Sequence, residues 1–479
     1  MTEPLITPRS GRLREACEAL WLLEDEMELV SWRYGGRDGL DLWQVLRFSL
    51  FMGALRRAGI LEAHQANPDE VSRSRFSSKL RQRIDRYTMT PGMRPPKAET
   101  VFIANARKVD GMDPFLGPLF QGLGGAPYSV FDSDRLGQRL KGVYDLDAFS
   151  KTARKKNREC LEATEADKRR AKEFTERFGA ALGADLTDLF ANAERIGTDH
   201  LRMRSAWARY FDACKAQRLI AIGAYFRQAA FAGARMAGIQ SVEVQHGLVA
   251  RCQVNYSWPG SPPREASPTD MLFFGSHWVE NVTHPAQLRP IVSGSDQITR
   301  LASQEAATAS AKADRRAPVV FMSQPTVSRV LWAFAVALAR ARPEVPILYR
   351  PHPGESLSRY ENLLAAEPDR PANLALSRGA PGSYALMASA RLQIGVYSFT
   401  LVEGLAFGCP SVVLDAPGAE LMEAVIARGD IPMISTVEEA AAFVDAPPEP
   451  RNAETYFAPS MQPQDIVAAL NAGRGDKRT

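Results

Sequence analysis

Ile347-Leu348-Tyr349-Arg350-Pro351-His352-Pro353 and, further along, Gly395-Val396-Tyr397-Ser398-Phe399-Thr400-Leu401-Val402-Glu403-Gly404, running into Ala406-Phe407-Gly408-Cys409-Pro410, are the stretches that decide how this chain folds. Each begins as, or follows directly on, a short apolar run (Val345–Arg350 and Leu392–Val396) and ends abruptly in polar groups. Apolar runs of this length, bounded by Gly and Pro, read as buried strands. In an open parallel sheet, ligands settle just beyond the carboxyl ends of the strands. Two strands ending this way in one half of a chain point to a site for a phosphorylated compound.

The residue types at the two ends agree with that chemistry. Pro351 and Pro353 fix the backbone around His352 and stop the strand from continuing. Arg350 adds a permanent cation, and an imidazole beside it can hydrogen-bond a leaving phosphate. Ser398 and Thr400 stand where a strand gives way to a helix, whose first N–H groups and dipole favour an anion. Ser398 read simply as an N-cap is the plainer alternative. Glu403 follows one turn later on the face of Thr400. A carboxylate there repels phosphate, so it belongs opposite neutral donors such as ribose hydroxyls. Gly404, Gly408 and Pro410 allow close packing of helix on strand.

Outward from these segments the pattern alternates. Strands are expected at Pro318–Met322, Val345–Arg350, Leu374–Leu376, Leu392–Val396 and Ser411–Leu414, with helices between them, which is a doubly wound α/β domain. The Ala-rich stretch Ala302–Arg316 reads as the end of the first domain or a linker. Before it, Leu219–Ile222, the small-residue helix Arg227–Ala237 and Ser241–Val244 form a β-α-β unit closed by Gln245-His246-Gly247. Thr100–Ala104, Pro127–Phe131 and Met271–Gly275 read as further strands. Leu13–Leu29 and Leu42–Phe48 read as amphipathic helices, and Leu146–Phe178 as a charged helical stretch. The triplets Asp132-Ser133-Asp134 and Asp145-Leu146-Asp147 precede helical patterns and read as caps. The expected organisation is 1–300 as a first α/β domain with a helical N-terminal extension, 301–316 as linker, 317–446 as a second Rossmann-like domain, and 447–479 as a tail able to pack back on the first domain.

Composition narrows the class. The chain has 479 residues, more than one ordinary core holds. Its 45% hydrophobic and 24% charged content is that of a soluble globular protein. No apolar run reaches the ~20 residues of a membrane span, and no secretory signal is visible at the start. The five cysteines have no C-x-x-C spacing, which excludes a zinc cluster and a disulfide framework and fits a reducing cytosol. From Ser72 to Lys172, 22 basic residues stand against 12 acidic ones. That half could face anionic headgroups or an acidic polymer, or could be a solvated helical surface. No zinc finger or RNP pattern accompanies it, so no nucleic-acid partner is expected. P-loop, nucleophile-elbow and zinc-protease motifs are absent. Of the six histidines, His64 and His200 read as surface residues and His284 as a loop residue, while His277 either lines a cleft or caps a helix. His246 and His352 each follow a core strand.

Taken in order, Gln245-His246-Gly247, Arg350-Pro351-His352-Pro353 and Ser398 through Pro410 resemble bacterial GT-B glycosyltransferases of surface and capsular polysaccharides that carry an HP motif. These are the β-Kdo transferases, bacterial sialyltransferases and teichoic-acid polymerases. The segment Gly39-Leu40-Asp41-Leu42-Trp43, with Arg47, also resembles the start of such chains. The resemblance implies two Rossmann-like domains facing a cleft, with the donor on the second. It places His352, Ser398 and Thr400 on donor phosphate together with Arg350, Glu403 on the ribose, and His246 on the opposite wall. Retaining GT-B enzymes often carry a second glutamate eight residues before Glu403. Here that position is Gly395, which favours an inverting, metal-independent single displacement. The base that deprotonates the acceptor is then expected among Asp38, Asp41, Asp132, Glu243 and His246. The implied co-substrate is a nucleotide-sugar, a CMP-sugar such as CMP-Kdo being favoured, with no tightly bound cofactor. The implied acceptor is a glycan or lipid-linked glycan, at a cytoplasmic enzyme able to associate with the inner membrane through its basic half. A CDP-glycerol-type glycerophosphotransferase, a nucleotide-sugar 2-epimerase and a non-catalytic nucleotide-sugar-binding scaffold are the alternatives.

Overall fold

Strands that are apolar on both faces require cover on both faces, and the computed structural model supplies it twice. It describes residues 10–36, 39–62, 91, 94–104, 113, 115–132, 142–308, 317–377, 379 and 382–473. Asp38, His64, the basic stretch Ser72–Tyr87, Asp134 and part of the expected linker lie outside the described residues. The first sheet comprises β1 (Thr100–Ile103), β2 (Tyr128–Asp132), β3 (Val143–Asp145), β4 (Arg218–Ile222), β5 (Gln240–Val244), β6 (Asp270–Phe273) and β7 (Arg289–Val292). All pairings are parallel, in the order β3-β2-β1-β4-β5-β6-β7. The second comprises β8 (Val319–Met322), β9 (Ile347–Arg350), β10 (Leu374–Leu376), β11 (Leu392–Gly395), β12 (Ser411–Leu414) and β13 (Met433–Ile434), also parallel, in the order β10-β9-β8-β11-β12-β13. Each sheet reverses direction once, between β1 and β4 and between β8 and β11. Those are the switch points where a doubly wound sheet opens its ligand crevice.

One apolar core fills the second sheet around Phe321, Phe334, Tyr349 and Tyr360 and continues without a break into Met271, Phe273 and Trp278 of the first. The first sheet is covered on one face by Trp207, Phe149 and Phe231, and on the other by Leu119, Ile466 and Leu470. The last two residues belong to the chain's closing helix, Pro463–Ala472, so the tail packs on the first sheet.

The N-terminal helices Arg12–Glu26 and Leu42–Arg57 pack with Glu165–Leu182 around Trp43, Phe174 and Phe178. A sealed ion pair joins the two: Arg47 Nε and Nη2 donate to the Glu24 carboxylate at 2.5 and 2.8 Å. The Arg47 guanidinium lies 4.0 Å from the Trp258 ring centre, and the Arg264 guanidinium lies 3.7 Å from it. Pairing and hydrogen bonds are what make such burial tolerable.

Several expectations need correction. The expected linker begins as helix, since Asp296–Thr308 is helical with Ile298 buried at its start. Alanine-rich sequence is strong helix former even without a wide apolar face. The stretch 146–178 is two helices, Leu146–Lys156 and the start of Glu165–Leu182, broken between them. His200 is not a surface residue. It lies 6% exposed on the helix Ala193–Cys214, and burial holds its pKa down at about 3. Asp145 does cap its helix, accepting from the Ala148 N–H at 2.8 Å. Among the described residues no helix is long and apolar enough to cross a membrane.

Candidate functional site

The second sheet sends three turns to its carboxyl edge. The turn after β9 carries His352, and it is organised by a residue that the sequence reading passed over. Glu355, buried, accepts from the His352 backbone N–H at 2.7 Å and from the Tyr360 hydroxyl at 2.5 Å. Tyr360 is in turn locked beneath Tyr349, the buried tyrosine of β9. His352 itself is exposed, and its Nδ1 accepts from the Gly354 N–H at 3.1 Å. That bond assigns the neutral ring's proton to Nε2, which is therefore its donor. The Arg350 guanidinium reaches across to the end of β10, donating to Ser377 Oγ at 2.8 Å and to the Gly379 carbonyl at 3.3 Å. Part of its donor fork is thus used in joining β9 to β10.

The turn after β11 leads into the helix Phe399–Ala406. Ser398 occupies the N-cap position, yet no side chain caps the helix. Its hydroxyl pairs instead with Thr400 Oγ1 at 2.6 Å. The first-turn N–H groups are therefore not taken up by a cap, as an anion-binding helix start requires. Gly404 is needed for packing. A Cβ there would overlap the Gln393 side chain, which donates to the Thr400 carbonyl at 2.9 Å and to Ser411 Oγ at 2.8 Å. Glu403 is buried and accepts from the Tyr384 hydroxyl at 3.2 Å. The turn after β8 closes the switch point: Gln324 accepts from the Tyr397 N–H at 3.0 Å, and Thr326 bonds the Tyr397 hydroxyl.

The first sheet meets this edge through aromatic rings. Phe399 packs on Phe274, just past β6, at 6.0 Å and on Trp278 at 5.6 Å. Phe115 stacks on Phe274 at 6.3 Å and meets His246 edge-on at 6.5 Å. Three ring contacts thus run from the start of the Phe399 helix to His246. His246 is half-buried, with an Nδ1 that is shut off from solvent and has no partner among the described residues. Burial pushes its pKa down to about 4, so the ring is neutral near pH 7 and able to accept a proton.

The other base candidates are placed differently, and Glu243 is enclosed. It is 2% exposed, with Oε1 accepting from the Ala224 N–H at 2.9 Å and from the Tyr256 hydroxyl at 3.0 Å. Burial raises its pKa to about 7, against the lowering effect of those two donors and of Arg264. It holds the turn after β4 from within the domain. Asp132 is buried at the end of β2, a strand that β1 separates from the switch-point strand β4. Asp41 pairs with Arg33 at 2.8 Å on the N-terminal extension. Asp38 lies outside the described residues. His277 is buried against Trp278 and Tyr456, and His284 bonds the Val279 carbonyl, so both are used in packing.

A cavity of about 1510 Å³ opens at the amino edge of the first sheet, beside Arg218, Gln240, Asp270 and Arg289. It lies at the opposite end of the strands from both switch points, and the strand-end geometry above is the better guide to chemistry. Among the described residues no group of three or more His, Cys, Asp or Glu could hold a metal ion.

No family model matches the chain, and no curated protein matches it in sequence. Solved structures do resemble it in chain path. The MurG of Acinetobacter baumannii is 14% identical, covering 79% of this chain and 100% of its own, with a TM-score of 0.43. The UDP-GlcNAc 2-epimerase of Methanocaldococcus jannaschii, in complex with UDP-GlcNAc and UDP, is 12% identical over 78% of this chain and 99% of its own, with a TM-score of 0.45. CalG4, the calicheamicin glycosyltransferase, is 13% identical over 80% and 100%, with a TM-score of 0.45. On its own topology the chain holds two parallel, Rossmann-like α/β sheets.

Proposed function

We propose that this protein is an inverting glycosyltransferase that moves a sugar from a nucleotide-activated donor to a glycan or lipid-linked acceptor. The observation that carries the reading is the pair of strand ends on the second sheet: the uncapped helix start at Ser398–Thr400 and the His352 turn pinned by Glu355. Both lie on the carboxyl edge, on either side of the β8 turn. Together they offer backbone N–H groups, two hydroxyls and an imidazole Nε2–H, which is the donor set a departing phosphate needs. Glu403, one turn into the helix, is assigned to the ribose.

His246, neutral and half-buried at the end of β5, is the preferred base on the facing sheet. In a single displacement the half-exposed imidazole of His246 takes the proton of the acceptor hydroxyl as the oxygen attacks the anomeric carbon. The bond to the nucleotide phosphate breaks with its electron pair, and the phosphate leaves onto the His352 side. Gly395 supports inversion, because no carboxylate stands there to act as nucleophile. A Cβ at that site would already lie 3.3 Å from the Met322 carbonyl oxygen. The HP-motif resemblance favours a CMP-sugar such as CMP-Kdo, and surface-polysaccharide assembly on the cytoplasmic face of the inner membrane is the corresponding setting.

Thermal shift with CMP, CDP, UDP and GDP tests the donor site, since a bound ligand raises stability by mass action. Stabilisation by CMP alone supports the CMP-sugar reading. A response to UDP alone moves the donor to a UDP-sugar. Silence towards all four nucleotides removes the basis for a donor site.

A further inference from the structure

At the switch point of the first sheet the chain exposes an aromatic ring that nothing in the fold requires to be there. Phe226, in the turn that follows β4, is 67% exposed. Single exposed apolar side chains are ordinary, but this one belongs to a row. Tyr225 lies 4.2 Å from it and Phe48, from the N-terminal extension, 6.1 Å, both measured between ring centres. Phe48 also meets Tyr225 edge-on at 5.0 Å. On its far side Tyr225 stacks over His246 at 6.3 Å and 23°.

The turn that carries the row is held rigidly. Gly223 adopts φ +67°, a left-handed conformation open to glycine, and its carbonyl accepts from the Phe226 N–H at 2.9 Å. The buried Glu243 carboxylate fixes the Ala224 N–H from below. Exposed apolar area on a preorganised turn at a switch point, beside a half-exposed imidazole, is the composition of a ligand wall: apolar rings with a few placed polar groups.

We propose that Phe226, backed by Tyr225 and Phe48, is the acceptor platform and that its occupant is a pyranose ring, laid with its C–H face on the Phe226 ring and a hydroxyl towards His246. The inference rests on the glycosyl-transfer reading above. The exposed ring is that of Phe226 alone, with Tyr225 and Phe48 partly buried behind it, which matches a single sugar and not an extended lipid chain. Glu243 serves it as a positioning residue, through the Ala224 N–H.

Saturation-transfer NMR with methyl pyranosides of the gluco, galacto, manno and 2-acetamido series, and with octyl β-glucoside, tests this on the full chain. At least one pyranoside should receive saturation on its ring protons from the wild type. Its affinity should fall roughly tenfold in Phe226→Ala, the scale of a lost aromatic contact, and return in Phe226→Trp. The thermal shift with CMP or UDP should be the same in all three proteins. Equal pyranoside binding by wild type and Phe226→Ala overturns the proposal. So does saturation confined to the alkyl protons of octyl β-glucoside. Nucleotide binding with no pyranoside binding overturns the platform and leaves the donor site standing, whereas loss of nucleotide response alone tells against the transferase reading.

Discussion

His352 and Glu355 show how one turn divides its work. The exposed imidazole faces outward while the buried carboxylate three residues on holds the backbone from which it projects. His352→Ala should therefore lower turnover by about 10²-fold, the scale of one lost transition-state donor, with the melting temperature unchanged. Glu355→Ala removes the partner of a backbone N–H and of a buried tyrosine hydroxyl. It should cost about 1–3 kcal/mol of stability in denaturant unfolding as well as activity. Unchanged unfolding in that variant would refute the pinning role. Glu243 sets a pH dependence. Its pKa is about 7 in the fold against an ordinary 4.5, so the folded state holds the proton more tightly than the unfolded chain. The stability this gives is fully present below about pH 4.5 and is lost as pH rises through about 7. Melts from pH 4 to 8 should show wild type losing up to about 3 kcal/mol relative to Glu243→Gln across that window. A flat difference would show that the carboxylate ionises normally. At this scale the sequence disclosed which residues follow strands directly, and the structure puts His246, His352 and Ser398 in the turns after β5, β9 and β11. Glu355, Gln324 and Tyr397 stayed hidden because they act through bonds to backbone and hydroxyl groups, which leave no pattern in spacing. Glu243 is a related case: a carboxylate near a strand end looks alike in sequence whether it faces a cleft or the interior.

Two helices exchange caps between the N-terminal extension and the second domain. Glu420 accepts from the Gly11 and Leu13 N–H groups at 2.5 and 3.0 Å, at the start of the helix Arg12–Glu26. Glu62, beyond the end of Leu42–Arg57, accepts from the Arg329 N–H at 3.1 Å and from Ser328 Oγ at 3.2 Å, at the start of the helix Ser328–Ala341. Carboxylates at helix N-termini satisfy donors and complement the dipole. Neither helix start carries a capping side chain of its own, so each depends on a residue far away in sequence. Glu62→Ala and Glu420→Ala should each cost about 1 kcal/mol. Hydrogen exchange should quicken at Arg329 in the first variant and at Leu13 in the second, with protection in β8 and β9 retained; unaltered exchange at those amides would refute the caps. The sequence could not reveal this, because local cap signals mark Thr164, Thr436 and Asp145 but are missing where the cap comes from another domain.

At the scale of the whole molecule, two doubly wound parallel sheets were legible because strands buried on both faces are written as short unbroken apolar runs. The short edge strands β3 and β13 and the helix Ala193–Cys214 were not singled out. The first two are too brief for a pattern, and the third interleaves arginines with its buried Met203, Trp207 and Phe211. The tail was left open because its prolines obscure a helix whose Ile466 and Leu470 complete the core of the first sheet. Leu470→Ala should cost about 2–5 kcal/mol, a large share of the 5–15 kcal/mol that folded proteins usually have, and calorimetry would register it as a lowered transition. An unchanged transition would mean that the closing helix is dispensable. Synthesis adds an order in time to this arrangement. Domains generally fold as they emerge, the N-terminal one first. Here a helix that covers the first sheet, Pro463–Ala472, leaves the ribosome after every strand of the second sheet, so the first sheet must wait, with one face incompletely covered, until that helix has been made. Termination before Pro463 would therefore leave the first sheet incomplete even though all of its own strands had been made.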